Sequence, residues 1–87
     1  ICKNGIGVCM AVNKVAGIRC GLGYNIAVAE TMMQHDNTNM LALAADHVSE
    51  DFALAIVKKW LESEFSGEER HARRLKKIAE LEEQPRS

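Results

Sequence analysis

IRCGL at residues 18–22 and MLALAA at residues 40–45 are the two segments that decide the fold. Both are short apolar runs of strand length, and the second is typical of a strand that is buried on both faces of a sheet. Between them, residues 25–34 predict a helix, with Asn25 as its N-cap and apolar residues at helical spacing. This alternation of strand, helix and strand predicts an α/β fold with a parallel sheet.

Further helices are predicted on both sides of this unit. Residues 6–15 are small and apolar and end before Gly17, which predicts a short first helix. Ser49 and the acidic residues after it cap a third helix. Its predicted apolar stripe consists of Phe52, Ile56, Val57, Trp60 and Leu61. A charged helix over residues 69–83 follows, with a thin apolar seam of Ala72, Leu75, Ile78 and Ala79.

The size of the chain sets limits on what it can be. Its 87 residues suffice for one small domain. Its composition is 47% hydrophobic and 26% charged, with a net charge of −1, and does not indicate binding to nucleic acid or to a membrane. The chain does not start with Met, and two strands cannot form a stable parallel sheet. We therefore expect the later part of a longer domain, whose early strands lie upstream or in a partner.

Three cysteines, Cys2, Cys9 and Cys20, are too few and too unevenly spaced for a disulfide framework or a zinc site. They favour a cytoplasmic protein, in which Cys9 and Cys20 act as small buried hydrophobic residues. Cys2 differs because it precedes Asn4-Gly5-Ile6-Gly7, where glycines let backbone N–H groups approach an anion at a helix start. A thiolate there could act as a base. The pattern fits a functional loop or a tight structural turn equally well.

Two other clusters could carry chemistry. Residues 34–39, QHDNTN, place more polar side chains between helix and strand than a turn requires, and His35 is a natural proton carrier near pH 7. Arg70 and Arg74 are four residues apart, so they share a helix face that could grip one phosphate. The alternative for these arginines is a solvated charged face with Glu68, Glu69 and Glu80. His47 is isolated and is interpreted as structural or exposed.

Taken in order, these motifs resemble the type B ribose-5-phosphate isomerase family, which includes the galactose-6-phosphate isomerase subunits. The most specific matches are Asn-Lys-Val-x-Gly-Ile-Arg at residues 13–19 and Arg-His-x-x-Arg at residues 70–74. The resemblance covers nearly the whole chain, which would be the C-terminal part of one such domain. It implies a Rossmann-like, doubly wound sheet whose early strands are missing from this chain.

The resemblance also implies a function and a set of site residues. The reaction would be aldose–ketose isomerisation of a phosphorylated sugar, of the ribose 5-phosphate type in pentose phosphate metabolism, without metal or organic cofactor. Cys2 would be the base that moves a proton between two carbons, and His35 would open the sugar ring. The anion hole would be formed by Lys3, Asn4, Gly5, Ile6 and Gly7. Arg70 and Arg74 would hold the phosphate, with His71 beside them.

The implied assembly is a homodimer or tetramer with active sites shared between subunits. The last helix, residues 69–83, either docks on another subunit or packs on its own domain; the sequence leaves both open.

Several residues depart from the family pattern. Lys3 occupies a usual glycine position, Asp36 replaces a substrate-binding asparagine, and Asp46 stands near a usual arginine. Because two additional acids would repel a phosphate dianion, we expect a shifted substrate. A second hypothesis is a non-catalytic or sugar-phosphate-binding subunit of a hetero-oligomer. A nucleotide-binding domain is a third, but the complete G-x-G-x-x-G pattern is missing.

Overall fold

A computed structural model describes residues 1–84 of the protein. Two strands and four helices alternate along these residues. In chain order they are α1 (Ile6–Val12), β1 (Cys20–Leu22), α2 (Ile26–Gln34), β2 (Met40–Ala42), α3 (Glu50–Glu62) and α4 (Glu69–Glu82). The predicted parallel α/β architecture is confirmed, since β1 and β2 pair in parallel with Gly21 opposite Leu41.

A third segment extends the sheet on the far side of β2. The Cys2 N–H donates to the Leu43 carbonyl at 3.2 Å, whereas the preceding carbonyl, Ala42, accepts from Gly23 N–H on the β1 side at 2.9 Å. Consecutive carbonyls of a strand point to opposite sides, and Cys2 forms a parallel bridge with Ala44. The order is therefore the Cys2 segment, β2 and β1, with β2 in the centre.

Helices cover both faces of this sheet. A Cβ atom at Gly21 would meet the Met32 sulfur of α2 at 2.8 Å, and one at Gly23 would meet Ile56 of α3 at 2.9 Å. Leu22 points the other way, because its side chain contacts Gly5 in the loop that opens α1. Alternate residues of a strand face opposite sides, so α1 lies on one face and α2 with α3 on the other. This is the doubly wound arrangement.

The core is small and lies on the α2–α3 face. Its centre is Ala29, Leu43 and the fully buried Ile56, and it is completed by partly buried residues on β2 and α3. The predicted stripe of α3 is wrong at both ends, because Phe52 is 37% exposed and Leu61 is 70% exposed. Their chain neighbours Ala53 and Trp60 pack against the core, so Phe52 and Leu61 lie on the adjoining part of the helix surface that faces solvent.

Other boundaries differ modestly from the prediction. The helix predicted over residues 6–15 ends at Val12, where the Asn13 side chain instead bonds Cys20 in β1. Each strand is three residues long, shorter than its apolar run. Met40 is 36% exposed at the start of β2, so only the later part of MLALAA, residues 42–44, is buried as predicted.

The last helix stands apart from the core. In α4 only His71 is buried, whereas Ala72, Ile78 and Ala79 of the predicted seam are exposed and Leu75 is half-buried. Leu81, also on α4, is 64% exposed. Within residues 1–84 no helix combines the length and the apolar character needed to cross a membrane.

Candidate functional site

The opening loop places Cys2 at the carboxyl edge of the sheet. Its carbonyl accepts from the Ala45 N–H at 2.8 Å, and the Lys3 carbonyl accepts from the Asp46 N–H at 3.0 Å. The segment after β2 therefore fixes the backbone of the loop. The carboxyl edge of a parallel sheet is where such folds bind ligands.

The backbone around Cys2 favours its thiolate. The N–H of Val8, in the first turn of α1, is the largest influence that lowers the pKa of this thiol, and the N–H groups of Gly5 and Asn4 add to it against partial burial. The Gly5 N–H lies 3.2 Å from the sulfur. Cys2 thus combines a half-buried position with a pKa below the ordinary value of a thiol, which suits a base near neutral pH.

Gly5 is the residue that shapes the loop. Its φ of 76° lies in the left-handed region, and a Cβ atom there would collide with the Leu22 side chain and approach the Leu43 carbonyl carbon at 3.3 Å. Gly7 has open space around it. The two glycines of the motif therefore differ: the first is required by the fold, and the second is free of that requirement.

The predicted anion hole is only partly open. The Ile6 N–H is taken by the Asn4 side chain at 3.0 Å, and the Gly5 N–H faces the Cys2 sulfur. The Val8 N–H faces the same sulfur, so within residues 1–84 the Gly7 N–H is the donor of the first turn of α1 that remains available. Lys3 is exposed at the rim of the loop. Its backbone contact with Asp46 brings together two of the three residues that depart from the pattern expected by resemblance.

His35 and His71 form a stacked pair. Their ring centroids lie 4.4 Å apart and their planes differ by 14°. His35 ends α2 and is half-buried, whereas His71, from the first turn of α4, is only 4% exposed. Burial lowers the pKa of His71, and the nearby His35 and Arg70 lower it further, against the opposing carboxylate of Glu68.

Both predicted phosphate-binding arginines carry an acidic partner. Arg74 donates to the Asp36 carboxylate at 2.7 Å and to the His35 carbonyl at 2.9 Å. Arg70 pairs with Glu68 at 2.9 Å. All four charged side chains are between 47% and 68% exposed, so these pairs contribute little to the stability of the fold. A ligand could therefore replace either carboxylate as the partner of its arginine. The expected repulsion by Asp36 is thus reduced, because Arg74 neutralises it.

The site residues form two groups at opposite edges of the sheet. Cys2 and its loop lie beside Ala44, past the end of β2. His35 ends the helix that precedes β2, so it lies at the amino edge together with His71 and Arg74. From Met40 to Ala44 a strand advances about 13 Å. Within one chain Cys2 and His35 therefore cannot contact the same carbon atoms.

A groove within residues 1–84 does not coincide with either group. Its volume is about 460 Å³, and it lies between the apolar side of α4 and the edge of β1, with Leu75, Cys20 and Met32 among its walls. Of the predicted site residues only Asp36 borders it. Within residues 1–84 there is no cluster of three or more His, Cys, Asp or Glu side chains that could hold a metal ion.

Three relationships were not predicted from the sequence. The contribution of the Val8 N–H could have been predicted from the sequence, because Val8 directly follows the glycine motif. The Asp36–Arg74 pair joins residues that are 38 positions apart. Cys9 and Cys20 are half-buried instead of buried, and the Cys9 thiol donates to the Cys20 carbonyl at 3.4 Å. Neither follows from local pattern.

Comparison with known proteins places these features in a family. Residues 1–78 match the family model described as Ribose/Galactose Isomerase. The structure of Clostridium thermocellum ribose-5-phosphate isomerase B is 44% identical, with a TM-score of 0.90 over 93% of this chain and 54% of that chain. That of Mycoplasma genitalium ribose-5-phosphate isomerase B with bound ribulose-5-phosphate is 39% identical, with a TM-score of 0.93 over 97% and 55%.

The curated relatives agree with the structures. Ribose-5-phosphate isomerase B of Escherichia coli is 36% identical over 83 residues, which are 95% of this chain and 55% of that protein. The chain therefore spans about half the length of the relatives it matches. Its fold is the corresponding part of their Rossmann-like α/β domain. The chain belongs to the ribose/galactose isomerase family.

Proposed function

We propose that this chain forms part of an aldose–ketose isomerase that acts on a phosphorylated sugar. The observation that carries the proposal is the Cys2 thiol, whose pKa is lowered by backbone N–H groups of its loop and of the first turn of α1. The names of the relatives and the ribulose-5-phosphate bound to one of them favour a five-carbon sugar phosphate.

In the proposed reaction the Cys2 thiolate removes the proton from C2 of the open-chain aldose. The electron pair of the C–H bond forms the C1–C2 double bond, and the carbonyl electrons move to O1 as an enediolate. The Gly7 N–H, in the first turn of α1, stabilises this oxyanion. The O2 proton moves to O1 as the C2 carbonyl forms, and Cys2 returns its proton to C1, which gives the ketose with no atom gained or lost.

The second group of residues would prepare the substrate. His35 opens the cyclic sugar, and Arg70 with Arg74 holds the phosphate, with His71 beside them. Phosphate binding requires both arginines to turn from Glu68 and Asp36, their present partners. A dianion offers each guanidinium a stronger bidentate acceptor than an exposed carboxylate does.

Because the two groups lie at opposite edges of one sheet, we propose that a complete site takes Cys2 from one copy and His35 from another. The exposed apolar residues of α4, Ile78 and Leu81, support a subunit contact for residues 69–83. On this proposal, residues 1–87 are the C-terminal part of one sugar-phosphate isomerase domain that works as a dimer or tetramer.

Replacing the base tests the proposal directly. Cys2→Ala should abolish isomerisation of ribose 5-phosphate and the exchange of its C2 proton with deuterated solvent, while the far-UV circular dichroism stays unchanged. Cys9→Ala is the matched control, since Cys9 is a half-buried thiol on α1 outside the loop. It should keep both activities. Full exchange in Cys2→Ala would overturn the assignment of the base.

The same exchange measurement addresses the second hypothesis. A non-catalytic sugar-phosphate-binding subunit binds the sugar but exchanges no proton with solvent. The retained thiol environment of Cys2 argues against that role, because a binding module gains nothing from a lowered thiol pKa.

A further inference from the structure

His71 is a buried imidazole without a polar partner. It is 4% exposed, and among the described residues neither of its ring nitrogens forms a hydrogen bond. The closest acidic atom, Glu68 Oε2, lies 3.7 Å from Nε2, beyond hydrogen-bond length. A buried polar group without a partner costs free energy, so its retention requires an explanation.

The close contact of His71 is made by its ring face and not by its nitrogens. Its face lies against the imidazole of His35 with a centroid separation of 4.4 Å. The backbone of His35 is held independently, because its N–H bonds the Thr31 carbonyl and its carbonyl accepts from Arg74. Within residues 1–84, the stack on His71 is the contact that orients the ring of the His35 side chain.

The charges around the stack disfavour a proton on His71. Two imidazolium rings at this separation repel each other, and Arg70 and Arg74 add positive charge from α4 while Glu68 opposes them. Asp36 on the α2 side is already paired with Arg74. Burial disfavours the charged form of His71, so this ring contacts His35 as a neutral imidazole at neutral pH.

We propose that His71 is a positioning residue that orients the His35 ring for proton transfer during opening of the cyclic sugar. This inference rests on the function proposed above. In that step the C1–O4 bond breaks, its electron pair remains on O4, and His35 donates a proton to O4. His35 then recovers a proton from the anomeric hydroxyl as the carbonyl forms, so the net reaction consumes no proton.

Two variants of His71 separate orientation from the other roles it could have. His71→Phe keeps a flat ring of similar size and removes both nitrogens, whereas His71→Leu removes the stack. Two substrates separate ring opening from later steps: ribose 5-phosphate closes to a furanose, but erythrose 4-phosphate cannot, because its O4 carries the phosphate.

With ribose 5-phosphate, we expect His71→Leu to lower kcat/KM at least about tenfold, and His71→Phe to stay within about twofold of the unmodified protein. With erythrose 4-phosphate, both variants should match the unmodified protein. A readout independent of activity is the ring-current shift of the His35 C–H protons in NMR spectra. It should persist in His71→Phe and disappear in His71→Leu.

Other results would overturn the inference. Equal losses on both substrates would assign His71 to phosphate binding or folding. If His71→Phe and His71→Leu are equally impaired on ribose 5-phosphate alone, a nitrogen of His71 transfers the proton itself. Full activity of His71→Leu would remove any role. Failure of the proposed function looks different, because the unmodified protein would then convert neither substrate and exchange no proton.

Discussion

At the scale of single residues, the three thiols occupy distinct electrostatic environments. The pKa of Cys2 is lowered by the N–H of Val8 and its neighbours. The pKa of Cys20 is raised to about 11, mainly by burial and further by the adjacent Cys9 thiol. The sequence singled out Cys2 by its position, and the family resemblance implied its role. The contrast between the pKa values of Cys2 and Cys20 depends on which backbone groups and which thiol the fold brings near each sulfur.

This contrast predicts selective alkylation. Because the thiolate is the nucleophile, iodoacetamide at about pH 7.5 should modify Cys2 well before Cys20, as followed by peptide mass spectrometry over time. Raising the pH should accelerate labelling of Cys20 up to its pKa of about 11, whereas Cys2 labelling should level off below the ordinary thiol pKa of 9.0. Comparable rates at neutral pH would contradict the assigned environments.

A second residue-scale prediction concerns Asp36. Its replacement by Asn removes the ion pair with Arg74 and leaves that guanidinium available for phosphate. An exposed pair of this kind is worth about 0.2–1 kcal/mol. The KM for ribose 5-phosphate should therefore fall about 1.5- to 5-fold in Asp36→Asn, with kcat nearly unchanged.

Asp51→Asn is the control for that change, since Asp51 is an exposed acid at the start of α3. It should leave the KM unaltered. If Asp36→Asn behaves like Asp51→Asn, the expectation that Asp36 shifts the substrate preference away from ribose 5-phosphate loses its basis.

At the scale of elements, α1 and the loop before it join the fold to the chemistry. Helix α1 has no buried residue, so core packing does not fix its position. Its N-terminus is instead set by Gly5, which fits between Leu22 of β1 and the Leu43 backbone with a left-handed φ. The geometry of the Cys2 loop thus depends on a single glycine that contacts both strands.

Gly5→Ala should destabilise the protein by roughly 2–4 kcal/mol, because it combines a left-handed backbone with a steric collision. Gly7→Ala is the matched control, since a Cβ there meets no atom within 4 Å. As an exposed helical position, it should gain about 0.5–1 kcal/mol. Urea unfolding of the two variants measures both values. Equal midpoints would contradict the distinction between the two glycines.

Local patterns predicted the elements better than their ends. Asn25 and Ser49 were predicted as caps and are confirmed, because each side chain bonds a backbone N–H three residues ahead and needs no distant partner. Strand lengths and the α3 stripe were less accurate, since they depend on which neighbours cover Met40, Phe52 and Leu61. The His35–His71 stack could not be predicted from local patterns either, because its two residues come from different helices.

At the scale of the whole molecule, the sheet separates the proposed base from the proposed ring-opening residue. Cys2 follows its strand at the carboxyl edge, and His35 precedes β2 at the amino edge. The sequence placed both residues in one site by resemblance. The topology supports the proposal that one chain supplies only half of each site, because a strand advances about 13 Å from Met40 to Ala44.

Mixing two inactive variants tests this arrangement. Cys2→Ala and His35→Ala should each lack ribose 5-phosphate isomerase activity alone. If the two variants are co-expressed in equal amounts and form two-fold symmetric dimers, half of the dimers contain one chain of each variant. In such a dimer one site combines an intact Cys2 with an intact His35, and the other has neither.

The mixture should therefore recover about a quarter of the unmodified activity, measured as ribulose 5-phosphate formation. The double variant Cys2→Ala/His35→Ala, co-expressed with Cys2→Ala, is the control and should stay inactive, because no copy then supplies a base. An inactive Cys2→Ala and His35→Ala mixture with proven heterodimers would mean that both residues serve one site from the same chain. That result would require the two edges of the sheet to approach each other, which the parallel register of β1 and β2 opposes.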